Sequence, residues 1–213
     1  MARIAVLGGT GYTGGNIVRE AAARGHHVTA YSRHAPAEPV PGVHYLQASF
    51  LEEGAVAAAV AGQDVVVEAL APRGELAGQL EGLIGDLAKL AAEQSARLIV
   101  VGGWSGLRPA SGEPRFVEGD VPAAFRAEAE EMVRALEGLE RDAPADLDWL
   151  FVSPAQEYGS YAPGEARGTY RIGDDVALTG ADGRSAVSGA DFARAVVDEI
   201  ERHERRGHIG VAY

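Results

Sequence analysis

Cysteine is absent, lysine occurs once, and no apolar run reaches membrane-spanning length. The first absence excludes disulfides, thiolate metal sites and cysteine nucleophiles. The second removes a common catalytic device. With Lys89 alone, and Gly85 four residues before it, no Tyr-x-x-x-Lys pair exists anywhere in the chain. A bilayer span needs ~18–20 consecutive apolar residues, and no charged-then-apolar leader precedes the first strand-like run. A cytoplasmic protein with no membrane partner is therefore expected. Basic residues are scarce as well: 19 Lys and Arg stand against 31 Asp and Glu, a net charge of -12. That disfavours nucleic acid, whose phosphates require Lys and Arg, and reads as a solvated acidic surface. No His-x-x-x-His or carboxylate grouping has metal-ligand spacing, so no metal is expected.

What is present begins at once. Ile4–Leu7 is an apolar run, residues 8–14 read GGTGYTG, and an amphipathic stretch, Asn16–Arg24, follows. Strand, glycine-rich turn and helix start in that order form a phosphate site, because the turn and the helix N-terminus aim backbone N–H groups at an anion. Gly8 is expected to permit the tight turn, Gly11 to let a diphosphate approach the backbone, and Gly14 to let the helix pack against the sheet.

The rest alternates strand and helix. Val28–Tyr31, Val43–Leu46, Asp64–Leu70, Leu98–Val101 and Leu147–Val152 read as strands. Glu53–Ala61, Leu76–Glu93, Ala123–Arg141 and Gly189–His203 read as helices, the last opening after Ser188 as N-cap with Asp191 in its first turn. Val65–Val67 is a β-branched run suited to burial on both faces. The pattern predicts an α/β fold: a Rossmann-type doubly wound parallel sheet. Residues 154–188, glycine-rich and broken into short apolar pieces, read as a small substrate-side extension within a single 1–213 domain. Asp182-Gly183 is a hairpin-type turn, and His208–Ala212 a possible last strand. Glu128, Glu130 and Glu131 read as a solvated helix face.

The end of the second strand discriminates between nicotinamide dinucleotides: an acid there takes the ribose 2′-hydroxyl, a basic residue the 2′-phosphate. Here it reads Tyr31-Ser32-Arg33-His34, with no Asp or Glu between Glu20 and Glu38. Arg33 can hold a phosphate bidentately, which favours NADP over NAD.

Together GGTGYTG, Tyr31-Ser32-Arg33, the Val65–Leu70 strand, Val100-Val101-Gly102-Gly103 and Ser153-Pro154-Ala155 resemble the atypical short-chain dehydrogenase/reductases. The chain is most similar to their small NAD(P)H-binding branch, related to the biliverdin-IXβ/flavin reductases and the NmrA-like proteins. That resemblance implies that Gly8, Thr10, Gly11, Tyr12 and Thr13 hold the pyrophosphate and Arg33 the 2′-phosphate. Leu70, Ala71 and Pro72 would lie beside the adenosine ribose, and Ser153, Pro154 and Ala155 beside the nicotinamide. One departure is plain. Gln47-Ala48-Ser49-Phe50 stands where the family has Gly-Asp, leaving Ser49 as the hydrogen-bonding residue toward adenine.

Without the Tyr/Lys pair, a reductase needs either an acceptor whose product takes its proton from water (flavin, quinone or tetrapyrrole) or an acid from elsewhere. Ser105 is the catalytic candidate, and it is similar to the Ser retained by the reductases named above. Tyr158, Tyr161 and Tyr170 are candidate acids and substrate contacts, and Trp104 is placed to stack on a flat substrate. The expected function is an NADPH-dependent oxidoreductase acting on a small apolar or aromatic molecule. A non-catalytic NADP(H) sensor of NmrA-like type is the alternative, and the missing pair weighs against a nucleotide-sugar epimerase. Monomer and homodimer both remain open.

Overall fold

A computed structural model describes all residues, 1–213. Its centre is an eight-stranded sheet in the order β3-β2-β1-β4-β5-β6-β8-β7. The strands are β1 (Arg3–Leu7), β2 (His27–Ser32), β3 (His44–Gln47), β4 (Val65–Glu68), β5 (Arg97–Val101), β6 (Trp149–Pro154), β7 (Arg171–Gly173) and β8 (Gly207–Ala212). All pair in parallel except β7, which runs antiparallel to β8 from within the 154–188 extension. The β-branched runs behave as burial on two faces requires: every residue of β4 and of β5 is buried.

The helices are α1 (Tyr12–Ala23), α2 (Ala55–Val60), α3 (Leu80–Glu93), α4 (Ala123–Asp142) and α5 (Gly189–Arg202). Alternate strand residues send their side chains to opposite faces, and two cores result. Ile4, Val6, Val67 and Ile99 pack with Ile17 and Val18 of α1 and Phe192 and Val196 of α5. Ala5, Leu7, Val66 and Val100 pack with Ala59 of α2, Leu83 and Leu87 of α3, and Met132 and Leu136 of α4. Ser188 caps α5 as expected, its hydroxyl accepting from the Asp191 amide at 3.1 Å.

After β1 the chain lays β2 and β3 on one side, then crosses to place β4 on the other. In doubly wound sheets the crevice outside the carboxyl ends of the strands at such a reversal is where ligands bind. The GGTGYTG turn leaves β1 at that point.

Candidate dinucleotide-binding site

The turn is shaped by close approach. Gly8 has φ +81°, and a Cβ there would lie 2.6 Å from the Ala69 carbonyl oxygen. A Cβ on Gly14 would lie 2.2 Å from the Gly8 carbonyl oxygen, so only glycine lets α1 start this near the turn. The Gly8 and Gly9 amides donate to the Tyr31 carbonyl at 2.9 and 3.0 Å, tying the turn to β2. The next amides are different. Those of Thr10, Tyr12 and Thr13 have no protein acceptor, and α1 carries neither a side-chain cap nor an acidic residue in its first turn. Free N–H groups at the positive end of a helix fit an anion. A Cβ on Gly11 would meet only the Gly8 oxygen, at 3.2 Å, so that side of the turn is open. These residues fit a diphosphate.

From this cradle a cleft of about 800 Å³ runs across the carboxyl ends of the strands. At one end it is walled by Ser32, Arg33, His34, Ser49 and the Leu70–Arg73 segment. The Arg33 side chain is 57% exposed, with Nη1 3.7 Å from a carboxylate oxygen of Glu75. Arg73 Nε lies 2.7 Å from each carboxylate oxygen of Glu128. At the other end the wall is Gly102–Gly106, Phe125, Met132, Pro154, Ala155, Tyr158 and Tyr161. Trp104 is held by a stacked contact with Phe116, ring centroids 4.6 Å apart. Ser105 is half-buried on the 3₁₀ turn Trp104–Gly106, at the carboxyl end of β5.

The NAD(P)H-binding family's sequence profile matches residues 8–203. The chain belongs to this NAD(P)H-binding family. YwnB of Bacillus subtilis, of the same length class, is 30% identical over 207 residues, covering 96% of this chain and 94% of its own. A Burkholderia pseudomallei crystal structure, provisionally described as an exported protein, is 36% identical with a TM-score of 0.85, covering 100% of both chains. A Streptococcus pneumoniae structure, provisionally described as an NADH-flavin reductase, is 27% identical with a TM-score of 0.83, covering 100% of this chain and 99% of its own. No helix is long and apolar enough to cross a membrane.

Within this NAD(P)H-binding chain, three sequence expectations, those for Tyr170, Ser153 and Glu131, need correction. Tyr170 is not at the cleft. Its hydroxyl donates to Asp198 on α5, and burial followed by that carboxylate pushes it up to about 12. It anchors the extension to α5. Ser153 is fully buried behind the cleft wall, its Oγ 2.9 Å from His208 Nε2, while its neighbours Pro154 and Ala155 do line the cleft. Tyr12 lines the cleft at the cradle, and its side chain is engaged elsewhere. Its hydroxyl accepts from the Gly189 amide at 3.1 Å and donates to the Pro163 carbonyl at 3.2 Å, leaving the main-chain amide as its contribution to the cradle. Glu131 does not belong to a solvated face. It is buried and accepts from the Gly78 and Leu80 amides, both at 2.7 Å, capping α3 from α4.

Tyr158 stays at the cleft, but its hydroxyl is shared with Thr13 Oγ1 at 2.8 Å, and burial raises its pKa well above the ordinary tyrosine value. Tyr161, 80% exposed, stands at the mouth.

Two polar groups, one fully buried and one half-buried, are not legible in the sequence. Glu68 closes β4 fully buried, in register with Leu7 and Val100. One carboxyl oxygen accepts from the Leu70 amide at 2.7 Å; the other has no partner. Burial pushes its pKa up to about 8, so it is a neutral acid that fixes the chain entering the Leu70–Pro72 wall. Its only sequence signal is a lone Glu ending a β-branched run. The second is His208. Arg115 Nη1 lies 3.2 Å from its Nδ1 and also donates to the Gly106 carbonyl at 2.6 Å. Since a guanidinium only donates, Nδ1 accepts and Nε2–H donates to Ser153. This polar knot secures the turn that carries Trp104 and Ser105.

Proposed function

We propose that this protein is an NADPH-dependent oxidoreductase that delivers hydride to a small apolar or aromatic acceptor of quinone, flavin or tetrapyrrole type. The observation that carries the reading is the makeup of the cleft beyond the cradle. Trp104, Phe125, Met132 and Tyr161 offer flat and apolar contacts there, with no tyrosine–lysine pair among them. Such a wall orients a planar acceptor and excludes water, while the bound nicotinamide supplies the hydride. The Tyr158 hydroxyl is engaged with Thr13 and far from its ionising range, which makes it a poor acid. Ser105, on the same wall, has no side-chain hydrogen-bond partner within the protein and is the hydroxyl left as a candidate at the reacting end. An acceptor that draws its proton from water matches this inventory. The S. pneumoniae neighbour supports a reductase in general terms.

The choice of NADP rests on Arg33 at the end of β2. Arg33→Ala is expected to weaken NADPH about tenfold or more while leaving NADH within about twofold, read by calorimetric titration. Equal losses for both would remove the 2′-phosphate assignment. Turnover with quinones, flavins and tetrapyrroles in the presence of NADPH tests the reaction itself. Tight NADPH binding with no turnover on any of them would replace the reductase by a dinucleotide sensor.

A further inference from the structure

The charged lining of the cleft consists of Arg33, Arg73, Glu75 and Glu128, two of each sign. Arg73 is held by Glu128 from α4, so each cancels the other. What remains is Arg33 at the end of β2 facing Glu75 on the 3₁₀ turn Gly74–Leu76, which continues the Leu70–Pro72 wall. Their separation, 3.7 Å, exceeds a charge-assisted hydrogen bond of ~2.7–2.9 Å, and both side chains are more than half exposed, at 57% and 68%. An exposed, loosely paired couple contributes little to folding. It does set the field at the place where the two dinucleotides differ.

We infer that Glu75 is a specificity-determining residue that opposes the NADP preference conferred by Arg33 and keeps NAD(H) usable in the same cleft. The inference rests on the proposed Arg33–2′-phosphate contact. A 2′-phosphate drawn to Arg33 arrives beside the Glu75 carboxylate and is repelled by it, and must also take Arg33 from that partner. A 2′-hydroxyl meets no such repulsion and can donate to the same carboxylate. The discriminating acid, ordinarily carried at the end of the second strand, is here supplied from across the cleft by the wall that follows β4.

The test is calorimetric titration of NADPH and NADH into the full-length protein, Glu75→Gln and Arg33→Ala, with thermal unfolding of each. Glu75→Gln is expected to tighten NADPH about 3- to 10-fold, to leave NADH unchanged or weaker, and to leave Tm unaltered. An NADPH-to-NADH affinity ratio that does not move in Glu75→Gln, while Arg33→Ala weakens NADPH, would overturn the inference and leave the NADP reading intact. A fall in Tm with an unmoved ratio would likewise make Glu75 a structural partner only. If Arg33→Ala leaves NADPH unweakened, the NADP reading fails and takes this inference with it.

Discussion

His208 and Glu68 lie behind opposite walls of the cleft and give the fold opposing pH responses. Burial, then the nearby Arg115 cation, outweigh the opposing pull of Asp175, and with a lesser push from Arg108 they lower His208 from 6.5 to about 4. As pH falls through that interval, the unfolded chain binds a proton that the folded chain refuses. Stability is therefore lost on acidification, by about 3 kcal/mol once pH is below both values. Glu68 goes the other way, raised by burial from 4.5 to about 8. As pH rises through that interval the unfolded chain releases a proton that the folded chain keeps, so stability falls toward alkaline pH, by on the order of 4 kcal/mol. Glu68→Gln retains an oxygen for the Leu70 amide and removes the titration. In the parent the two slopes nearly cancel where the intervals overlap, and stability declines only above the ordinary histidine value of 6.5 and up to about 8; the urea-unfolding free energy of Glu68→Gln should instead rise with pH up to 6.5 and stay flat above it. His208→Gln should instead remove the compensation, so that its stability declines steadily with pH from 4.5 to about 8. A parent-like slope in either variant would show that the group titrates as it does in the unfolded chain.

At the scale of elements, helix α3 shows what one carboxylate from another helix accomplishes. Apolar spacing predicts its start at Leu76, yet the chain makes a separate 3₁₀ turn at Gly74–Leu76 and begins α3 at Leu80. The stop is made by Glu131, which takes the Gly78 and Leu80 amides. Glu131→Ala leaves the buried Leu80 amide and the Gly78 amide without their acceptor and is expected to destabilise the protein by ~2–3 kcal/mol, with Glu131→Gln losing less, measured by denaturant unfolding. A loss below ~0.5 kcal/mol would mean that water replaces the cap. The example also explains what the sequence could and could not reveal. Strands and helices were legible because burial imposes periods of two and 3.6 residues, and the glycine turn because its chemistry is local. Glu131 resembled a surface residue because its partners lie more than 50 positions away along the chain. Tyr170 shares a segment with Tyr158 and Tyr161, which on sequence alone puts it at the cleft, but β7 pairs with β8 and turns it toward α5. His208 gave no sign, since its importance comes from Ser153 and Arg115 on distant elements.

Across the whole molecule, the cradle is where the two sides of the cleft are joined. Tyr12, the first residue of α1, reaches Gly189 and Pro163, and Thr13 shares a hydrogen bond with Tyr158. A dinucleotide held by the free amides of the same residues therefore braces the start of α1, the extension and the start of α5 together. A ligand that binds only the folded state stabilises it by RT ln(1 + [L]/Kd), ~2.7 kcal/mol at one hundred times Kd. For a domain of this size each kcal/mol shifts Tm by ~2–4 °C. Saturating NADPH should thus raise Tm by roughly 5–10 °C. Gly11→Val should abolish that shift while leaving the ligand-free Tm within a few degrees of the parent, because a Cβ at Gly11 meets only the Gly8 oxygen, at 3.2 Å, and its methyls project into the open side of the turn. A variant that keeps its full NADPH-induced shift would show that the dinucleotide does not approach the backbone at Gly11, and the diphosphate would have to be sought elsewhere along the cleft.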